Sequence, residues 1–337
     1  MITYPTLKNK GVIGITAPSS GISQDLHKMF QQSVRRLEEQ GNNVICGDTV
    51  WTQEKAKSAS AFKRASEFNS MMMDNGIDMI FPPWGGELLI EILEHVNFNQ
   101  MKKKWILGYS DTSALLLATT LSTGIATAHG TNSADLRGQI WDDTTAMWEK
   151  VLALAPGESI TQFSSEKYQK AWQHENPTKC VFHLEEETLW KTTPNKKAEA
   201  EGRLLGGCID IIRHLVGTPY GNVPNFRKKY TNSEPLLWYF ENCSLSATDL
   251  RRSLVQMKFA GWFNDCSAIL FGRSAANAPV QNYTAKDVYN ELSRELNIPI
   301  VYDIDCGHMP PQMTFINGAY ARIESESGKG KLVQHFI

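Results

Sequence analysis

The sequence predicts an α/β chain in two units, built on parallel sheet, and three observations carry that prediction. Short apolar runs alternate with helix-spaced stretches through the first half. Each run ends at a Gly, Pro or Ser turn. The same alternation resumes after a loose polar stretch in the middle. Strands that alternate with helices imply right-handed βαβ units and a parallel sheet.

Taken in order, residues 11–17 form an apolar run closed by Pro18-Ser19-Ser20, a strand and its turn. Residues 26–40 carry Met29, Phe30, Val34 and Leu37 at helical spacing and stop at Gly41. A strand is expected over 43–46, a helix over 61–73, a strand over 77–81 and a helix over 88–96. The apolar strand 105–107 then runs into Gly108-Tyr109-Ser110-Asp111, and a helix begins at Thr112. Ligands of such sheets gather at the carboxyl ends of the strands. Three loops would meet there: 17–20, 82–87 and 108–111.

Between about 140 and 200 the pattern loosens into a polar stretch with Trp148, Trp172 and Trp190. The expected division is an N-terminal domain over 1–165, a connecting segment over 166–200 and a C-terminal domain over 201–337. The second unit opens at Glu201-Gly202-Arg203. It continues with a strand over 236–240 ending in Glu241, a helix over 247–260, a strand over 267–272, a helix over 285–296 and a strand over 298–302. Short strands near 319–323 and 332–333 close it.

The apolar content of 42%, the charged content of 21% and the formal net charge of −2 describe a globular chain with no basic field for nucleic acid or anionic membrane. The basic run Lys102-Lys103-Lys104 reads as a solvated helix end. The N-terminus lacks the layout of a secretory signal, and no apolar stretch approaches the ~20 residues of a membrane span. Six scattered cysteines without a C-x-x-C suggest reduced thiols, hence a cytoplasmic protein.

Three polar residues end apolar strands or lie just beyond them: Ser110, Glu241 and His308. Ser110 suits a nucleophile, since a strand-to-helix turn puts a hydroxyl at the positive end of a helix dipole. It equally suits a helix cap. With an imidazole to take its proton and a carboxylate to fix the tautomer, the three residues supply a hydrolytic triad in the order Ser, Glu, His.

Longer motifs carry a resemblance. Gly108-Tyr109-Ser110-Asp111-Thr112-Ser113-Ala114-Leu115 resembles the nucleophile segment of the LD-carboxypeptidase family of serine peptidases, which includes the microcin C self-immunity proteins. Residues 13–20, Trp84-Gly85-Gly86, the run 202–207, the run 215–220, Trp238-Tyr239-Phe240-Glu241 and Gly307-His308-Met309-Pro310-Pro311 follow in the family's order. The resemblance implies a flavodoxin- or amidotransferase-like N-terminal domain and a smaller β-rich α/β C-terminal domain. It also implies a homodimer and no metal or organic cofactor. Catalytic roles are implied for Ser110, His308 and Glu241, and an oxyanion hole from the backbone N–H groups of Gly86 and Asp111. Substrate contacts are implied at Gly85, at Trp190 through stacking on a nucleobase, and at Cys208, where the family pattern has asparagine.

The implied substrates are small molecules. One is an aminoacyl or peptidyl unit joined by an amide to a nucleotide; the other is a muropeptide tetrapeptide ending in D-alanine. Two rivals stand beside this reading: a metal hydrolase using Asp303, Asp305, Cys306 and His308, and a non-catalytic module that closes on a small ligand. A dinucleotide enzyme is disfavoured, because no G-x-G-x-x-G follows a strand.

Overall fold

The computed structural model describes residues 1–173 and 175–337. In chain order its first part comprises β1 (Val12–Ile15), α1 (His27–Glu39), β2 (Asn43–Cys46), α2 (Ala61–Met73), β3 (Met79–Ile80), β4 (Trp105–Gly108), α3 (Thr112–Thr123) and β5 (Thr127–His129). These strands lie side by side in the order β2-β1-β3-β4-β5, all parallel. That is the flavodoxin-type winding, whose loops gather ligands at the carboxyl edge.

The second part comprises β6 (Ser159–Phe163), the small pair β7 (Lys167–Tyr168) and β8 (Glu186–Glu187), β9 (Lys191–Thr193), β10 (Lys197–Cys208), β11 (Leu236–Glu241), β12 (Cys266–Gly272), β13 (Ile300–Ile304), β14 (Phe315–Asn317), β15 (Tyr320–Glu326) and β16 (Lys329–His335). An eight-stranded sheet runs β6-β16-β15-β10-β11-β12-β13-β9. Its centre, β10 to β13, is parallel, and its flanks are antiparallel. Helices Ala247–Phe259 and Ala285–Leu296 make the crossovers. β14 leaves this unit and pairs antiparallel with β5, completing the first sheet.

Sequence explains most of these elements directly. α1 buries Phe30 and Leu37 and exposes its charged face. α3 is buried on every side from Thr112 to Leu121, as its apolar run Leu115-Leu116-Leu117-Ala118 requires, and it packs between β5 and β10. β10 begins four residues before the expected start of the second unit. Its first half, Lys197-Ala198-Glu199-Ala200-Glu201, alternates charged and small residues, with Ala198 buried and Glu199 exposed. Period-two alternation in short side chains is the strand signal there.

Two expectations change. Residues Leu89–His95 form a 3₁₀ helix rather than an α-helix. The Leu89 N–H is held by the Asp111 carboxylate at 2.8 Å, and the turn winds through i→i+3 bonds such as Glu91 N–H to the Leu88 carbonyl. Lys104 is not a solvated helix end: it is 5% exposed, and its ammonium donates to the Met71 carbonyl at 2.7 Å and to the Asp74 carbonyl. It thereby satisfies the open carbonyls at the end of α2. Burial pushes its pKa down to about 8.

Arg203 joins the ends of the chain to the second sheet. Its guanidinium donates to both Glu234 carboxylate oxygens, to the Tyr4 hydroxyl at 2.9 Å, and to the carbonyls of Gly318 and Ile337 at 3.0 and 2.7 Å.

Candidate active site

The carboxyl ends of both parallel sheets face one cleft. β1, β3 and β4 deliver Ser19, the loop Trp84-Gly85-Gly86 and Ser110; β11 delivers Glu241, and the segment after β13 delivers His308.

Ser110 has φ of +62°, a left-handed conformation uncommon outside glycine. The sharp turn lifts its hydroxyl off the strand end. Asp111, not Ser110, occupies the N-cap position of α3, and Ser110 contributes only its carbonyl, which accepts from the Ser113 N–H at 2.9 Å. The hydroxyl is therefore free for other work. Its oxygen lies 3.1 Å from His308 Nε2, while His308 Nδ1 lies 2.7 Å from Glu241 Oε2. A carboxylate can only accept, so Nδ1 carries the proton and Nε2 of the neutral ring is left to accept from the serine.

Glu241 is the last residue of β11, and its side chain is fully buried. Burial alone would raise its pKa, but the His308 charge and hydrogen bond reverse this and hold it below the usual carboxylate range. Burial likewise pushes His308 down, and the Glu241 carboxylate more than offsets it, lifting the imidazole to about 9. Gly307 lets the two approach. Its φ is +97°, and a Cβ there would lie 2.5 Å from Glu241 Cβ and Oε2.

Behind this chain sits His129, at the end of β5 and fully buried. Its Nε2 is 4.0 Å from Glu241 Oε1, and among the described residues neither atom has a hydrogen-bond partner. Burial drives its pKa down to about 4, so the ring is neutral at physiological pH. No motif in the sequence singles it out, although its position at the end of a short strand matches that of Glu241.

The glycine loop crosses directly over Ser110. A Cβ on Gly85 would lie 2.7 Å from Ser110 Cβ and 2.9 Å from the Asp111 nitrogen, and one on Gly86 would strike Ser19 and Ser20. Gly86 also has φ of +148°. The Asp111 carboxylate ties the loops together by accepting from the Ser19 hydroxyl and the Leu89 N–H. These residues border a cleft of about 460 Å³, lined also by Trp84, Tyr109, Asn132 and Gln53.

The remaining sequence candidates fall elsewhere. Trp190 is 2% exposed in the core of the second sheet; its indole N–H donates to Asp305 at 2.9 Å and its ring lies over Gly330. In this structure the indole is thus enclosed within its own unit. Trp172 lies nearer the cleft, its N–H bonded to the His308 carbonyl at 3.0 Å. Cys208 is fully buried at the end of β10, directly opposite Glu241 in the register. The metal quartet disperses: Asp303 pairs with Lys191, Asp305 with Arg273, and the Cys306 thiol lies 3.9 Å from His129. His308 alone of the four stands at Ser110.

Sequence profiles match two parts of the chain, the LD-carboxypeptidase N-terminal domain over residues 13–130 and the LD-carboxypeptidase C-terminal domain over 201–323. The chain belongs to the LD-carboxypeptidase family. It is 25% identical over 333 residues to a Vibrio cholerae protein named as a carboxypeptidase, covering 96% of each. It is 23% identical to the microcin C7 self-immunity protein MccF of Escherichia coli, covering 96% of this chain and 94% of that one. Among solved structures, apo MccF superposes with a TM-score of 0.83 at 21% identity over 99% of both chains. A muramoyltetrapeptide carboxypeptidase from Oxalobacter formigenes superposes at 0.74 with 17% identity, over 96% of this chain and 98% of the other. MccF has also been solved with aspartyl sulfamoyl adenosine and glutamyl sulfamoyl guanosine bound. Among the described residues, no helix is long and apolar enough to cross a membrane.

Proposed function

We propose that this chain is a serine peptidase or amidase in which Ser110 is the nucleophile, His308 the general base and acid, and Glu241 the carboxylate that orients His308. The observation that carries this reading is the continuous contact from the Ser110 hydroxyl through His308 to buried Glu241, at 3.1 and 2.7 Å. Ser110 attacks an amide carbonyl while His308 takes its proton. The backbone N–H groups of Gly86 and Asp111 stabilise the oxyanion, a contribution of about 2.7–4 kcal/mol per donor in such sites. His308 then protonates the leaving amine, and water resolves the acyl-enzyme with His308 again as base. Glu241 keeps the imidazole in the required tautomer. No step calls for a metal.

The substrate we favour is an aminoacyl or peptidyl unit joined by an amide to a nucleotide, on the strength of the likeness to MccF and of the Trp84 and Tyr109 rings lining the cleft. A second reading, removal of the terminal D-alanine from a muropeptide tetrapeptide, gains support from the enclosure of Trp190, the residue expected to stack on a nucleobase. We expect the protein to act in the cytoplasm as a homodimer, and sedimentation of the purified chain tests the dimer.

One experiment separates the readings: hydrolysis of aspartyl sulfamoyl-adenylate and of a muropeptide tetrapeptide by one preparation, with Ser110→Ala as control. Cleavage of the adenylate alone supports the first and of the tetrapeptide alone the second. Binding that survives Ser110→Ala with no turnover by the unaltered protein returns the chain to a ligand-binding module.

A further inference from the structure

Three donor groups that the proposed hydrolysis does not use converge beside Glu241. The Cys208 thiol lies 3.9 Å from the Cys243 thiol and 3.5 Å from Asp210 Oδ2, and one donor atom from each residue falls within 4.8 Å of the others. Among the described residues this is the one such group of histidine, cysteine and acidic side chains.

The spacing has a meaning in coordination chemistry. Tetrahedral zinc with bonds of about 2.3 Å to sulfur and about 2.0 Å to oxygen sets its ligand atoms about 3.8 Å apart for S···S and about 3.5 Å for S···O. The observed separations of 3.9 and 3.5 Å match both. We propose that Cys208, Asp210 and Cys243 form a zinc site, with the fourth vertex left to water or a small ligand.

The surroundings support the ligand set. Asp210 is already oriented. Its Oδ1 accepts from the Ser244 N–H at 2.9 Å and from the Ser244 hydroxyl, and its Oδ2 accepts from the Cys243 N–H at 3.0 Å. Three donors thus fix the carboxylate, as outer partners do for metal ligands, and one lone pair of Oδ2 remains toward the thiols. Those bonds also keep the carboxyl ionised: burial would raise its pKa, but the Ser244 and Cys243 donors bring it below the usual value. Cys243 is exposed and gives a cation access, while Cys208 forms a buried floor. Both thiols are free. Burial raises the Cys208 thiol well above its ordinary range, so it carries a proton that the metal must displace. Binding forms two S–Zn bonds, breaks two S–H bonds and releases two protons, so affinity rises with pH.

The position gives the site its consequence. Cys208 and Glu241 are register partners at the ends of β10 and β11, and Cys243 follows Glu241 by two residues. A metal there pins the 242–244 loop directly after the carboxylate that holds His308. Zinc is therefore an inhibitor of hydrolysis, a statement that rests on the proposed reading of the Ser110 site; the binding itself does not.

The test is titration of the reduced full chain with Co²⁺, a spectroscopic stand-in for zinc. A thiolate-to-cobalt charge-transfer band that saturates at one equivalent, is bleached by Zn²⁺ and is lost in Cys243→Ser is the expected result. Cys243 is exposed, so that variant folds, which circular dichroism checks. Absence of the band, or its persistence in Cys243→Ser, overturns the site. In a parallel assay, the zinc concentration that halves hydrolysis should rise at least tenfold in Cys243→Ser, each protein measured against its own metal-free rate. Equal zinc sensitivity overturns the inhibitory role. A metal-free protein that hydrolyses nothing overturns the Ser110 reading, and the cobalt band still decides the metal site.

Discussion

Replacing Ser110 by alanine removes one oxygen whose hydrogen-bond partner is His308. Hydrolysis should fall about 10⁴–10⁶-fold with the melting temperature nearly unchanged. His308 acts as a base only when neutral, and its pKa is lifted to about 9. The pH profile of kcat/KM should therefore rise through the alkaline range rather than level off near pH 7. Stability runs the other way. A histidine whose folded pKa exceeds its unfolded value stabilises fully below about 6.5 and loses that contribution as pH rises toward 9. Glu241, depressed in the fold, stabilises above its unfolded value and loses that as acid is added. Thermal melts across pH should show the triad's contribution largest between these limits, declining where the rate climbs; a flat rate above pH 7 would contradict the assignment of His308. His129 is a positioning residue in this scheme. His129→Leu removes the imidazole nitrogen 4.0 Å from Glu241 Oε1, and should lower kcat about 10–100-fold with little change in KM while shifting the alkaline limb.

At the scale of elements, two short turns decide whether those groups meet. Gly86→Ala would place a methyl against Ser19 and Ser20 at a φ of +148°, displacing the backbone N–H proposed as an oxyanion donor. A fall of about 10²–10³ in kcat is expected, with substrate binding retained. The parallel strands and major helices of both units were legible because their apolar runs and 3.6-residue spacing are strong, and the strand ends carrying Ser110 and Glu241 followed from that. What was illegible has physical causes. β14 is three residues long and borrows its partner from a strand nearly two hundred residues away, so no local pattern announces it. Trp190 shows why a tryptophan cannot be assigned from position alone. Its N–H is satisfied by buried Asp305, a pairing fixed by tertiary packing between residues far apart in sequence. His129 was invisible for the same reason, being defined by what folds against it.

On the scale of the whole molecule, the two sheets share the chain. Arg203 gathers Tyr4, Gly318, Ile337 and Glu234 around one guanidinium, so Arg203→Ala removes one buried charged donor from four partners at once and leaves only the Tyr4 hydroxyl to the Gly318 and Ile337 carbonyls. A loss of about 2–4 kcal/mol is expected, read as a lower urea midpoint with the denaturant slope unchanged. His308 has a further dependence. It lies on the segment between β13, in the second sheet, and β14, in the first, and is thus held from both sides. Ser110 follows a strand of the first sheet and Glu241 ends a strand of the second, so the histidine segment meets both only where β14 pairs with β5. On the proposed mechanism, hydrolytic competence therefore requires both sheets to be formed and joined. A copy with one sheet unformed would hold Ser110 apart from the imidazole proposed as its base.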